Sequence, residues 1–339
     1  MPNQTVAIIS TVLNERESIR QLLDAFFRQT RQADEIVIVD GGSTDGTLEV
    51  LQDYAAQNPK LKFLVENGVN IAAGRNIAIA HANSSIIAVT DGGCRPEDNW
   101  LAELVAPLLA DPSYGAVTGV RNVEHKNDFE FFAGKLSTSG NAANEADRVF
   151  HGRNSAFRKS VWLDVGGYPE WLYTAEDTLF AQRAKALGCR VAVAPNAIVS
   201  WRPRPNLKKL AKQYYLYGKG TGRIGQADLK AVLYHLRNHA VWMASLLFGF
   251  WLNGFWLITL TVLGFLYFTL VNPVIANLTA NQNLRPGYWL YVPTIILVRS
   301  FYNNLGQLYG YWECREGSPF RENLARYRSG SWKSPAIRA

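Results

Sequence analysis

Three short apolar runs in the first hundred residues each end in a loop that carries carboxylates. Thr5–Ser10 leads into Thr11-Val12-Leu13-Asn14-Glu15. Glu35–Val39 leads into Asp40-Gly41-Gly42-Ser43-Thr44-Asp45-Gly46-Thr47. Ser85–Thr90 leads into Asp91-Gly92-Gly93-Cys94. A carboxylate in such a loop can accept hydrogen bonds from a nucleobase N–H or a ribose hydroxyl, or hold a divalent cation. Further on, Glu176-Asp177 precedes the helical pattern Leu179, Arg183, Ala184, Leu187. A carboxylate there can take a proton from a hydroxyl within hydrogen-bond reach. Each residue also has a plainer use. Asp40 and Asp45 beside Gly, Ser and Thr make good turns and helix caps. Glu176 and Asp177 suit a helix N-terminus through the macrodipole. No GxGxxG follows the first run, so a dinucleotide site has no support, and no GxxxxGK[ST] exists, which excludes a P-loop.

The elements between these loops alternate. Ile19, Leu22, Leu23, Phe26 and Phe27 follow helical spacing after the first run, and Leu48, Leu51, Tyr54 and Ala55 follow it after the second. A βαβα order predicts an α/β fold with a mostly parallel sheet covered by helices on both faces. In such sheets ligands bind beyond the carboxyl ends of the strands, where the acidic loops sit.

The strings TVLNE, IVIVDGGSTDGT, AAGRNIAI, VTDGGC, GRNSAFRKSVWLDVGGYPE and AEDTLFAQRAKALG, in this order over residues 5–200, resemble the family 2 glycosyltransferases with their GT-A, Rossmann-like fold. The resemblance implies an inverting hexosyltransferase that moves a sugar from a nucleotide-sugar donor, UDP-linked by preference, to a lipid-linked or glycan acceptor. Thr11, Leu13 and Glu15 would line the base and ribose pocket. Asp40 would read the base, with Ser43 and Asp45 supporting its loop. Arg75 would face the donor, and Asp91, followed by Gly92, would touch the donor ribose or a metal. Asp177 would be the general base, with Glu176, Asn154, Ser155 and Gly167 on the acceptor side. The implied cofactor is a divalent cation, Mn²⁺ or Mg²⁺. Here the chain departs from the family, because Gly93 replaces the second carboxylate of the usual Asp-x-Asp. Asp91 remains the metal candidate, with His151 as a candidate extra ligand. The QxxRW motif of processive members is missing; Arg202, Arg204 and Arg223 are candidates for gripping diphosphate in its place. Two other readings compete. A nucleotidyltransferase would need a Gly-rich, basic phosphate loop after the first strand, which TVLNERES is not. A non-catalytic sugar-nucleotide-binding membrane protein has only Gly93 in its favour.

The whole chain has 339 residues, 48% hydrophobic, with a formal net charge of +7. This composition excludes a disordered protein. The charge is unevenly spread: residues 1–200 are net −6 and residues 201–339 net +13. Basic residues beside apolar sequence favour a membrane face over nucleic acid as the partner. Ala240–Val271 holds no charged residue, and Tyr288–Val298 is apolar again. The expected layout is a GT-A domain over 1–200 and a basic interfacial segment over 201–239. C-terminal membrane helices follow over 240–311, with spans near 254–272 and 288–310, and then a basic cytoplasmic tail over 312–339. The apolar part resembles membrane-anchored bacterial members that build cell-surface polysaccharide or glycolipid. The expected location is the inner or cell membrane, multi-pass, with the catalytic domain cytoplasmic. Three Cys and no CxxC favour a reducing compartment, and the first ten residues carry no secretory signal.

Overall fold

A computed structural model describes residues 4–137, 149–252, 254–261 and 287–338. The chain divides into two compact units, each assembled from separated stretches of sequence.

The first unit holds the described residues up to 122, those of 149–202, and 322–338. Its elements run β1 (Val6–Val12), α1 (Ile19–Phe27), β2 (Glu35–Asp40), α2 (Thr47–Gln57), β3 (Leu61–Val65), α3 (Ile71–His81), β4 (Ile86–Val89), β5 (Cys94–Pro96) and α4 (Trp100–Ala110). They continue with β6 (Tyr114–Val123), β7 (Ser155–Arg158), α6 (Lys159–Val165), α7 (Glu176–Ala186) and β8 (Arg190–Trp201). The strands form one sheet in the order β3-β2-β1-β4-β7-β6-β8-β5. β1 pairs in parallel with both β2 and β4, and β2 with β3. From β7 onward the sheet turns antiparallel: β4 with β7, β6 with β7, and β5 with β8. The parallel half follows from βαβ connections through α1, α2 and α3. β1, β2 and β4 are buried along nearly their whole length, which explains why they read as continuous apolar runs. The expectation of a mostly parallel sheet therefore describes β1–β4, and the sheet as a whole is mixed.

α1 buries Ile19, Leu22, Leu23 and Phe26 as its spacing predicts, while Phe27, expected on the same face, is half-buried. α3 begins at Asn70, whose side chain accepts from the Ala73 N–H at 2.9 Å. It packs on β1 and β2, and Gly74 allows the approach: a Cβ there would sit 2.8 Å from Thr11 Cγ2. The last residues of the chain, 322–338, also belong to this unit; Leu324, Tyr327 and Ser334 are buried in it.

The second unit contains α5 (Asp128–Ser137), α8 (Leu207–Arg223), α9 (Leu229–Trp251) and the long helix Tyr288–Glu313. Phe131, Phe132, Leu136, Leu210, Tyr214, Val292 and Ile295 form its core. α8 and the long helix meet backbone to backbone. Gly218 and Gly222 face the main chain of the long helix, and Gly306 and Gly310 face that of α8. Lys219 and Arg223 clasp Glu313 at 3.0 and 2.7 Å beside this seam.

The multi-pass membrane placement is contradicted. Among the described residues no helix is long and apolar enough to cross a membrane. The expected span 288–310 falls in the helix Tyr288–Glu313, whose apolar run is broken by Pro293, Arg299, Asn303, Asn304 and Gln307. Arg299 donates to the Leu136 carbonyl and lies over the Tyr214 ring, so this charge serves packing between helices. α9 likewise carries Lys230, His235, Arg237 and His239. The expected span 254–272 lies mostly outside the described residues. Averaged apolarity over 240–311 predicts two spans; in the structure the uncharged residues 240–251 are only the second half of α9, whose first half is charged, and the long helix is interrupted within its own apolar run.

Candidate active site

The ends of β1, β2 and β4 come together because the parallel register sets Val12 beside Asp40 and Ile9 beside Val89. The loops after β1 and β2 are then tied by side chains. The Asn14 N–H donates to Ser43 Oγ at 2.8 Å, the Glu15 N–H to Thr47 Oγ1 at 2.9 Å, and the Arg16 N–H to Asp45 Oδ2 at 3.1 Å. The Thr44 N–H returns a bond to Asn14 Oδ1 at 3.0 Å. Asp45 also accepts from the Thr47 N–H and hydroxyl, which holds its carboxyl below the usual range. Ser43 and Asp45 thus fasten one loop to the other, and the Ser-Thr-Asp string is explained by that work.

Asp40 is fully buried. Its Oδ1 accepts from the Gly42 and Ser43 N–H groups at 2.8 and 2.7 Å. Its Oδ2 is buried with no hydrogen-bond partner. An orphaned carboxylate oxygen is costly inside a protein, so it implies a donor that arrives with a ligand. On the same loops Leu13 is exposed, Thr11 packs against Gly74, and Glu15 accepts from Ser18 Oγ.

A charged cluster lies beyond β4. Arg75, buried on α3, donates to Asp91 Oδ1 at 2.8 Å and to Glu176 Oε1 at 2.9 Å. The other oxygen of Asp91 faces Arg153 Nε at 3.5 Å, and the Arg153 guanidinium stacks 4.5 Å from the Trp201 ring. Burial would lower the Arg75 pKa, but Asp91 and Glu176 outweigh it and keep the guanidinium charged. Burial, reinforced by the neighbouring Asp177 charge, pushes Glu176 up to about 7. Burial would raise Asp177 too. There the charges of His151 and Arg75 and the N–H groups of Gly152 and Thr178 prevail, and Asp177 is held below its ordinary value. The two adjacent carboxyls are therefore pushed apart, one toward the protonated form and one held ionised. They open α7 behind Ala175, a non-glycine residue at φ 66°.

Several expected residues take other places. His151 faces Asp177 Oδ2 at 3.9 Å, and burial lowers its pKa. Asn154 is a buried brace: its amide donates to the Val120 and Ala197 carbonyls, and its oxygen accepts from the Trp100 indole N–H at 2.8 Å. Ser155 is fully buried on β7. Gly167 adopts φ 91° in the turn before Tyr168. Gly92 is packed close: a Cβ there would sit 3.0 Å from Val12 Cγ1 and 3.2 Å from Glu15 Cγ. Arg223 is committed to Glu313 within the second unit, while Arg202 and Arg204 are exposed.

Sequence reasoning missed Arg153 and Asn76, and read Tyr168 only as part of the Gly166–Pro169 turn. Arg153 sits inside the GRNS string but gains meaning only when β7 returns beside β4. Tyr168 stacks on Phe180 of α7 at 4.2 Å, with Arg75 5.4 Å over its ring. Asn76, fully buried, accepts from the Trp162 indole and the Tyr168 N–H and donates to the Tyr168 carbonyl.

A mixed sheet whose parallel strands end in acidic loops, with a buried Arg–carboxylate cluster at their tips, is a GT-A-like architecture. Residues 7–165 match the model of Glycosyl transferase family 2, and residues 87–298 that of Glycosyl transferase family group 2. The chain belongs to the family 2 glycosyltransferases. It is 29% identical over 239 residues to Glycosyltransferase AglE of Haloferax volcanii, covering 66% of this chain and 75% of that protein. It is 27% identical over 227 residues to Succinoglycan biosynthesis protein ExoA of Rhizobium meliloti, covering 64% and 68%. A solved mannosyltransferase of Pyrobaculum calidifontis, in complex with GDP-Man and Mn²⁺, superimposes with a TM-score of 0.59. It is 21% identical and covers 92% of this chain and 88% of that one, a likeness of fold.

Proposed function

We propose that this glycosyltransferase uses a nucleotide sugar, UDP-linked, and transfers its sugar with inversion to a hydroxyl of a lipid-linked or glycan acceptor. The observation that carries this reading is the cluster in which Arg75 joins Asp91 and Glu176 beside an ionised Asp177. Asp40 Oδ2 offers an acceptor for a base N–H, and exposed Leu13 an apolar surface for the base. Asp177 takes the acceptor's proton as that oxygen attacks the anomeric carbon. The new C–O bond forms as the bond to the diphosphate breaks, and the electron pair leaves with the nucleoside diphosphate. Arg153, held over Trp201, is the cation best suited to offset charge growing on that leaving group. Arg75 orients Asp91 and Glu176 from below.

The fit to a divalent cation turns on Gly93. A Cβ built there lies 3.9 and 4.0 Å from the two carboxylate oxygens of Glu15, so a carboxylate already stands beside the position that lost one. Among the described residues no group of three His, Cys, Asp or Glu could hold a metal alone. One or two carboxylates with donor phosphates suffice for Mg²⁺ or Mn²⁺. Asp91 and Glu15 would hold such an ion, and the ion would supply charge stabilisation at the diphosphate. UDP is favoured as the nucleotide through the family resemblance. The name of one relative, Succinoglycan biosynthesis protein ExoA, supports a glycan acceptor; a lipid-linked acceptor comes from the family resemblance.

The test is a panel of UDP-glucose, UDP-galactose, UDP-N-acetylglucosamine and GDP-mannose, read by nucleotide release and by binding to the purified full chain. Release from at least one, lost in Asp177→Asn, is expected. Binding of none would end the donor reading.

A further inference from the structure

The sequence reading treats the last residues as a basic tail, yet they are threaded into the catalytic unit. The chain from Glu322 to Ser334 crosses the turn Gly166-Gly167-Tyr168 and bonds to it repeatedly. Tyr327, fully buried, donates its hydroxyl to the Gly167 carbonyl at 2.7 Å. The Ser334 N–H donates to the Gly166 carbonyl at 2.8 Å, and the Ser334 hydroxyl donates to Glu170. Arg183, on α7, reaches the Arg328 carbonyl. The two glycines adopt φ 93° and 91°, where side chains are strained. They are also where the crossing is closest: a Cβ on Gly166 would lie 2.8 Å from the Trp332 carbonyl oxygen, and one on Gly167 2.8 Å from Ser334 Cβ. The glycine pair thus has a second reason to be glycine, which is to let the tail lie against the turn.

The residue after this turn is Tyr168. Its ring lies against Phe180 of α7 and under the Arg75 guanidinium, and its backbone is clamped by Asn76, the neighbour of Arg75 on α3. A shift of the turn would be passed to both helices that carry the charged cluster. We propose that the C-terminal segment Glu322–Ser334 is a strap that positions the reacting groups. Tyr327 and Ser334 hold the Gly166-Gly167 turn, and through Tyr168 they fix Arg75 on α3 and Glu176-Asp177 on α7. Tyr327 is a positioning residue, and it touches no substrate in this arrangement. The proposal rests on the reading that Asp177 is the base.

The experiment uses the full-length protein. Tyr327→Phe keeps the ring against Trp332 and removes the hydroxyl. Ser334→Ala removes the bond to Glu170. Leu51→Ala, a core change on α2, serves as a control for general loss of stability. Two readouts are taken: amide hydrogen exchange over Gly166–Phe180, and kcat and KM for whichever of the four nucleotide sugars the wild type turns over, per folded molecule. Displacing reacting groups by a fraction of an ångström should cost turnover more than binding, so about a 3- to 10-fold fall in kcat with KM within about twofold is expected for Tyr327→Phe combined with Ser334→Ala. Faster exchange across Gly166–Phe180 should accompany it. Leu51→Ala should leave both unchanged per folded molecule. Unchanged exchange in the strap variant overturns the proposal, as does a kcat loss equalled by Leu51→Ala or a loss confined to KM. If the wild type binds none of the four donors, the donor reading fails, and the strap then stands or falls on exchange alone.

Discussion

At the level of single residues, the acidic side chains divide by what they already bond to. Asp45 and Ser43 spend their oxygens on neighbouring N–H groups, whereas Asp40 keeps one buried oxygen without a partner. Asp40→Asn puts an amide where an acceptor is needed. We expect UDP to bind about tenfold more weakly in that variant by calorimetry, a loss of about 1.4 kcal/mol, with the fold intact. Asp177→Asn keeps the shape but cannot take a proton. Turnover should fall about 100-fold or more, with UDP affinity changed only slightly. A variant with wild-type turnover would remove Asp177 from the mechanism. For the cation, Mn²⁺ titrated calorimetrically with UDP present should bind the wild type and bind Glu15→Gln more weakly. Equal binding would show that Glu15 does not compensate for Gly93.

At the level of elements, the close approaches are made by glycine. Gly74 lets α3 settle on β1, with Thr11 Cγ2 only 2.8 Å from where a Cβ would be. Thr11 is β-branched and anchored in β1, so it yields little. Gly74→Ala should therefore lower stability by about 1–3 kcal/mol, read as a lower urea midpoint at unchanged slope. In the second unit Gly222 meets the backbone of the long helix directly. Gly222→Leu should separate α8 from that helix and loosen the Lys219–Glu313–Arg223 cluster. An unchanged melting temperature in either variant would mean that these contacts are looser than described.

For the whole molecule, the buried charge cluster links stability to pH. Glu176 is raised to about 7 in the fold, mainly by burial, against about 4.5 in the unfolded chain. The folded state therefore holds more protons between these values, and the Glu176 contribution to stability is full below about 4.5 and lost as pH rises through about 7. Glu176→Gln has no such proton to lose. Its melting temperature should fall less than that of the wild type between pH 5 and 7.5; parallel curves would show that Glu176 titrates normally. The order of the two units along the chain matters as well. The first unit is completed by residues 322–338, so cutting the chain after the sheet also strips the segment that carries the buried Tyr327.

Much was determined by sequence alone. The acidic strand-end loops, βαβ alternation and α7 carboxylates were legible because each depends on neighbours within a few residues, where periodicity and turn chemistry act. The series of motifs carried the family. The sequence also showed where the pattern breaks, at Gly93. What required the tertiary structure depends on groups far apart in the chain. Arg75 meets Glu176 across 101 positions, Glu15 stands beside Gly93, and Tyr327 reaches Gly167 across 160. The antiparallel half of the sheet was equally hidden, because a short buried strand has the same apolar signature in either direction. The bonds of Asn154 to Trp100, Val120 and Ala197 likewise join residues 34 to 54 positions apart. The multi-pass expectation failed among the described residues for a related reason. Apolar content summed along a segment does not say how helices divide it, and Arg299 and its polar neighbours fall inside the helix Tyr288–Glu313, with the Arg299 guanidinium bonded to Leu136. Local composition sets what a segment can bury; only the packed chain decides which charges and hydroxyls find partners.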